Sequence, residues 1–229
     1  MVTEPQLTSA RCHVKRASWR RKDDFMKNQI TRPLRLVGVS GGLHATSKAA
    51  ALTEHLLKRI ADHVPSEQQL IELGRLAPQF SGAVSRSQLP GAVEGALTAV
   101  ERADVLVVAT PVYRGSYTGL FKHFFDFIHQ DALTDKPVLL AATGGSERHA
   151  LMIDHQLRPL FSFFQARTLP LGVYATDKDF ENGRLQDRAL IQRAALAVQR
   201  ALPFLEFAPP NASGNRQLED LACTHASAA

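Results

Sequence analysis

Only two cysteines occur in the 229 residues, and both, Cys12 and Cys223, fall in terminal segments without a strand or helix pattern. The central body therefore has no thiol to act as nucleophile, disulfide partner or metal ligand, which fits a reducing cytoplasm. No apolar run reaches the ~20 residues needed to cross a bilayer, and the first residues lack the apolar stretch of a secretory signal. No nucleophile elbow, no His-Glu-x-x-His and no Walker phosphate loop is expected in the chain. These absences remove thiol, zinc-hydrolase and P-loop chemistry. What remains must work through backbone groups, hydroxyls and a few charges.

The net charge of +5 is unevenly placed. Residues 1–33 hold eight Lys/Arg against three acids, whereas the rest of the chain is balanced at nineteen of each. The basic pI thus belongs to an arm and not to the body. Such an arm can touch nucleic acid. Met26 just ahead of the first strand favours an idle arm or an over-long start, so nucleic-acid binding is not expected. Residues 207–229, opening on Phe207-Ala208-Pro209-Pro210-Asn211, read as a disordered tail.

Between the two tails, residues 34–206 read as one domain of alternating strands and helices. Strands are expected at Leu34–Val39, Gln69–Leu73, Val105–Ala109, Val138–Ala142 and Thr168–Tyr174. Helices are expected at Ser47–His63, Ala92–Arg102, Tyr117–His129, Arg148–Gln165 and Gly183–Leu202. Val105–Ala109 and Val138–Ala142 are continuous apolar runs, as strands buried on both faces require. Five such units predict an α/β fold, a doubly wound five-stranded parallel sheet of order 2-1-3-4-5. That order puts a ligand crevice where the loops leave the first and third strands.

Those loops carry the chemistry. After the first strand, Ser40-Gly41-Gly42 leads through Ser47 and Lys48 into a helix, the arrangement by which backbone N–H groups and a helix dipole hold a phosphate. After the third come Thr110-Pro111-Val112-Tyr113-Arg114-Gly115-Ser116-Tyr117, and after the fourth Thr143-Gly144-Gly145-Ser146. Each loop alone reads equally well as a tight strand–helix turn. Three together at a switch point suggest a phosphorylated planar ring, with FMN the leading choice. Arg148, His149, Asp154, His155 and Arg158 share one expected helix, where Asp154 and Arg158 are spaced for an ion pair.

Seven of the 12 phenylalanines fall in two helices. Phe121, Phe124, Phe125 and Phe127 cover more than one face of theirs, leaving a polar strip of Lys122, His123, Asp126 and His129. An outer-layer helix has one side free, so a subunit interface is expected there.

From Leu34 to Phe204 the chain resembles the flavodoxin-like NAD(P)H-dependent FMN reductases, in particular the NADH-dependent ones serving alkanesulfonate and methanesulfonate monooxygenases. The likeness rests on Val39–Gly42, Pro111–Tyr117 and the long run Leu139–Ala150 that continues through Asp154–Gln165. It implies that Ser40, Ser47 and Lys48 hold the FMN phosphate. Lys48 stands where an arginine is common, and Ala49 where relatives often carry a hydroxyl. It implies that Pro111, Val112, Tyr113, Arg114, Gly115 and Ser116 flank the flavin ring and that Thr143, Gly144, Gly145 and Ser146 border its other edge. Tyr117 matches a tyrosine that sits in a π-helical turn at the relatives' tetramer interface, so a homo-oligomer with Tyr117, Phe121, Phe124 and Phe125 at the contact is expected. The implied reaction is hydride transfer from NADH or NADPH to FMN, which leaves for a flavin-dependent monooxygenase. No side-chain acid or base is required of it, and no metal. A quinone, azo-dye or chromate reductase is the alternative on the same scaffold. A flavodoxin-like carrier is disfavoured by the charge-balanced body.

Overall fold

The computed structural model describes residues 32–44 and 46–205. The basic arm before Arg32 and the expected C-terminal tail lie outside the described residues.

Parallel strands β1 (Leu34–Ser40), β2 (Ser66–Glu72), β3 (Val105–Pro111) and β4 (Pro137–Gly144) form the sheet with β5 (Arg167–Thr168) and β6 (Val173–Thr176). Its order is β2-β1-β3-β4-β5, with β6 also on β4. That is the expected order, with one difference: the fifth strand is broken in two. Pro170 has no N–H to give the ladder, so pairing with β4 lapses after Thr168 and resumes at Val173.

Alternation along the buried strands sorts side chains between two helical layers. Val37, Val39, Leu106, Val108, Val138, Leu140 and Ala142 face one core. Helices α2 (Leu73–Phe80), α3 (Gly91–Arg102) and α4 (Gly119–Asp126) cover it. Helices α1 (Lys48–Ala61) and α6 (Arg188–Leu205) pack together across the other face. The short α2 was not legible beforehand, because Gly74 and Pro78 interrupt its eight residues. Leu73 and Phe80, seven apart and both buried, hold it down.

The aromatic expectation is corrected here. Phe121, Phe124 and Phe125 are all at most 1% exposed within this one chain. Phe125 meets Phe121 at 4.7 Å and Phe161 at 5.1 Å between ring centroids, and Phe124 meets Phe80 at 6.0 Å. The side of α4 away from the sheet is taken up by α2 and by the segment following β4, so these rings fill the chain's own core. Each such ring removes roughly 150–250 Å² of surface from water.

That later segment also differs from the single helix expected. It runs as a 3-10 turn (Glu147–His149), a π-helix (Ile153–Leu157) and a short α5 (Arg158–Phe163). Pro159 explains the wide turn. It has no N–H, and in a regular helix its ring would crowd the carbonyl four residues back. The Arg158 N–H accordingly reaches five residues back, to the Ile153 carbonyl. Tyr117, which matches a tyrosine in a π-helical turn of the relatives, precedes α4 in irregular backbone and is not in a π-helical turn here. The Asp154–Arg158 pair forms at 2.9 Å.

Gly183, expected to open the last helix, instead turns a hairpin of β7 (Phe180–Glu181) and β8 (Arg184–Leu185). Asn182 and Gly183 both have positive φ, 51° and 76°, as a two-residue hairpin of this kind demands.

Arg32, counted with the basic arm on sequence, is tied to the body. Its guanidinium forks onto both oxygens of buried Asp104 at 2.8 Å, and the Arg35 backbone N–H donates to the same carboxylate at 2.7 Å. Burial alone would push the Asp104 carboxyl up. The Arg32 hydrogen bonds, the Arg35 N–H and the two positive charges outweigh it and hold the group below its ordinary value. A folded pKa below the unfolded ~3.9 adds stability above that pH and loses it as pH falls through the folded value. Asp104→Asn is expected to cost about 1–3 kcal/mol at neutral pH in urea unfolding. The gap between the two proteins should close as pH falls through the folded value of the Asp104 carboxyl; a gap that persists once that carboxyl is protonated would refute the linkage.

Candidate functional site

The loops leaving β1, β3 and β4 meet where the strand order reverses, and they enclose a cleft of about 320 Å³. Volumes of that order accept small organic ligands. Gly42, Leu43, His44, Thr46, Ser47, Lys48 and Ala49 line it from the first loop and the start of α1. Pro111, Val112 and Tyr113 line it from β3, Thr143, Gly144 and Gly145 from β4, and Asp177 from the turn after β6.

The first loop ends at Ser47, whose extended backbone and hydroxyl cap α1: Oγ accepts from the Ala50 N–H at 3.3 Å. The next N–H, from Ala51, already reaches the Ser47 carbonyl at 3.0 Å. Among the described residues the N–H groups of Lys48 and Ala49 have no partner. They face the loop at the positive end of a 14-residue helix with no acid in its first turn, an arrangement that favours an anion. The backbone at Gly42 passes close against this cap, and a Cβ there would stand 1.7 Å from Ser47 Oγ. The Lys48 ammonium lies 2.8 Å from an Asp177 carboxylate oxygen.

At the β3 exit, Tyr113 and Ser116 exchange two backbone hydrogen bonds of 2.8 and 3.2 Å around Arg114 and Gly115. Both central residues have positive φ, 53° and 84°, which glycine adopts readily and arginine does not. The turn tip therefore projects into solvent. At its base, the Val112 N–H donates to the Thr143 carbonyl at 2.7 Å, joining this wall to the next. The β4 exit is braced by Tyr174, whose hydroxyl donates to the Ser146 carbonyl at 2.7 Å. Burial and the nearby Asp177 push that phenol up. Gly144 is fitted against it, since a Cβ would come within 2.2 Å of the Tyr174 oxygen.

Of the expected cofactor residues, Ser47, Lys48, Pro111, Val112, Tyr113, Thr143, Gly144 and Gly145 line the cleft together. Ser40, Arg114, Gly115, Ser116 and Ser146 do not. Ser40 is buried beneath the loop, with Oγ accepting from the Gly42 N–H at 3.4 Å. Arg114 and Gly115 form the exposed turn tip, and Ser116 Oγ bonds Gln156 on the π-helix at 3.2 Å. Ser146 contributes its carbonyl to Tyr174. The expectation of no nucleophile elbow is corrected: Gly38–Gly42 has the Gly-x-Ser-x-Gly spacing, but Ser40 is 1% exposed and bonds no histidine among the described residues. The residue that sequence reasoning missed is Asp177. The split fifth strand delivers it, and no motif surrounds it.

A phosphate cradle opening onto two walls of small residues fits FMN. Residues 34–181 match the family described as NADPH-dependent FMN reductase. The chain belongs to this family. It is an oxidoreductase that uses FMN and a nicotinamide dinucleotide. The reductase is 56% identical over 175 residues to "NADH-dependent FMN reductase SfnF" of Pseudomonas fluorescens, covering 76% of this chain and 94% of that one. It is 51% identical, with the same coverage, to "FMN reductase (NADPH)" of Pseudomonas aeruginosa. Among solved structures, an oxidoreductase from Corynebacterium diphtheriae is 34% identical, with a TM-score of 0.68 over 76% of this chain and 98% of that one. Among the described residues, no helix is long and apolar enough to cross a membrane.

The tight fit at Gly144 yields a paired test. Gly144→Ala is expected to cost about 1–3 kcal/mol through its clash with the Tyr174 oxygen and to weaken FMN binding. Adding Tyr174→Phe removes that oxygen and should restore most of the melting temperature. No recovery in the double variant would show that the clash lies elsewhere.

Proposed function

We propose that the reductase reduces FMN as an exchanging substrate, at the expense of NADH or NADPH, and hands the reduced flavin to a flavin-dependent monooxygenase in sulfonate desulfonation. The observation that carries this reading is the α1 N-terminus opening into a cleft with two small-residue walls. Ser47, Lys48 and the N–H groups of Lys48 and Ala49 would hold the phosphate. Pro111, Val112 and Tyr113 would lie along one side of the ring, and Thr143, Gly144 and Gly145 along the other. When bound, FMN accepts hydride from the nicotinamide, and that chemistry belongs to the cofactor. The chain's own part is to hold two flat rings in register and to offer backbone donors at the cleft wall. Ala49 gives the phosphate no hydroxyl, which suits release. The sulfonate assignment rests on the resemblance drawn from the sequence, and relatives named for NADH and for NADPH leave both reductants in the proposal. A reducing cytoplasm suits a body without cysteine.

Initial rates with NADH and NADPH across FMN, FAD and riboflavin test this reading. NADH or NADPH oxidation is expected to require added FMN and to yield free reduced flavin. Quinone turnover by protein that retains FMN through gel filtration would instead make it a quinone reductase.

We also propose that the reductase works as a homo-oligomer with Tyr117 at the contact. Tyr117 is half-buried and leans on Phe121 at 5.9 Å, with its remaining surface free in this chain. Light scattering is expected to give a multiple of the 25.1 kDa chain mass; a single chain mass at micromolar concentration would overturn this.

A further inference from the structure

Among the described residues lining the cleft Lys48 is the only lysine or arginine, and it is already paired. Its partner Asp177 lines the same cleft, so the two formal charges at the phosphate end cancel. We propose that Asp177 sets the strength of the FMN grip by occupying Lys48, making it the residue that limits discrimination between FMN and flavins without a phosphate. This rests on the reading of the cleft as the FMN site.

The position of Asp177 is built and not incidental. It opens a 3-10 turn, Asp177–Asp179, whose base is buried Thr176. The Thr176 N–H and hydroxyl both donate to Asp179 Oδ2, at 2.6 and 2.8 Å. The Asp179 carbonyl in turn accepts from the Gln186 N–H at 2.9 Å, tying the turn to the end of the β7–β8 hairpin. The next residue, Lys178, pairs with Glu147 of the β4 loop at 2.6 Å. Asp177 is therefore presented to Lys48 by a braced turn.

A phosphate monoester carries about −1.5 to −2 charge at neutral pH. To engage Lys48 it must displace a carboxylate at 2.8 Å or share the ammonium with it. Either way the lysine's gain is reduced, and the free N–H groups of α1 are left as the main phosphate donors. A flavin without phosphate meets none of this competition, so riboflavin serves as the internal control.

The experiment measures dissociation constants for FMN and riboflavin by flavin fluorescence over a salt series, on the full chain. Four proteins are compared: unaltered, Asp177→Asn, Lys48→Ala and the double variant. Asp177→Asn is expected to tighten FMN about three- to fivefold, leave riboflavin within about twofold and steepen the salt dependence of FMN binding. In the Lys48→Ala background the effect on FMN should shrink below about twofold, because the two residues act as one unit. A purely structural role for Asp177 would shift both flavins together. The inference is overturned if FMN affinity is unchanged or weaker in Asp177→Asn, if riboflavin moves equally, or if the effect survives without Lys48. Failure of the unaltered protein to bind either flavin would overturn the FMN reading itself, a result these other outcomes do not resemble.

Discussion

The cleft depends on one buried hydroxyl. Thr118 Oγ1 donates to the Gly41 carbonyl at 3.1 Å and accepts from the Phe121 N–H at 3.2 Å, while the Thr118 N–H reaches Thr110 Oγ1 at 3.4 Å. One side chain thus caps α4 and joins it to the loop leaving β1, and its backbone fastens the same point to the end of β3. The Gly41 N–H completes the link by donating to the Ala109 carbonyl at 2.8 Å. At a switch point, neighbouring loops turn to opposite faces of the sheet and would otherwise separate freely. Here their spacing is set by hydrogen bonds among residues that water does not reach. A buried donor or acceptor left unsatisfied there would cost roughly 1–3 kcal/mol, so the phosphate loop and the β3 wall hold a common geometry.

Topology was readable because it follows from a coarse signal. Two continuous apolar runs and a regular alternation of strand and helix patterns admit few arrangements, and the sheet order followed from that. The cleft walls on the first, third and fourth loops were readable for the same reason. What the pattern did not carry was the direction of individual side chains. Ser40 and Ser47 look alike in sequence, yet one end of a strand buries its hydroxyl and a helix cap exposes the other. Arg114 and Gly115 fell on the tip of a tight turn and not on its base, a distinction made by two positive φ angles.

The phenylalanines show a different limit. Periodicity says how many faces of a helix are apolar, but not what covers the second face. On α4 that cover comes from α2, whose glycine and proline hid it, and from a segment that a proline bends through a π-turn. Once both are in place, Phe80, Phe124, Phe125, Phe161 and Phe164 form one continuous chain of aromatic contacts. The Asn182-Gly183 hairpin was, by contrast, available from sequence, since that dipeptide is the strongest short-range turn signal. Reading it would have moved the start of the last helix past residue 185, but it would not have singled out Asp177.

The charge arrangement at the cleft bears on what the ring walls must do. A helix N-terminus contributes ~0.3–1 kcal/mol to an anion at an exposed site, and up to ~2 kcal/mol when partly buried. With Lys48 engaged by Asp177, that would be, on the proposed reading, the larger part of what the loop offers a phosphate. Micromolar binding needs about 8 kcal/mol in all. On the proposed reading the balance would come from contact between the flavin ring and the β3 and β4 walls, whose floor is fixed by the Val112–Thr143 bond and whose edge is fixed by Tyr174 against Gly144. Those same walls would be where a nicotinamide arrives. A protein that holds its flavin by the ring more than by the phosphate lets the ligand leave whenever ring contacts are disturbed, as entry of a second planar molecule does. On the proposed reading, a weak phosphate anchor and a rigid ring slot would thus not be opposed features: the slot would align two rings for transfer, and the poor anchor would keep the product from remaining there.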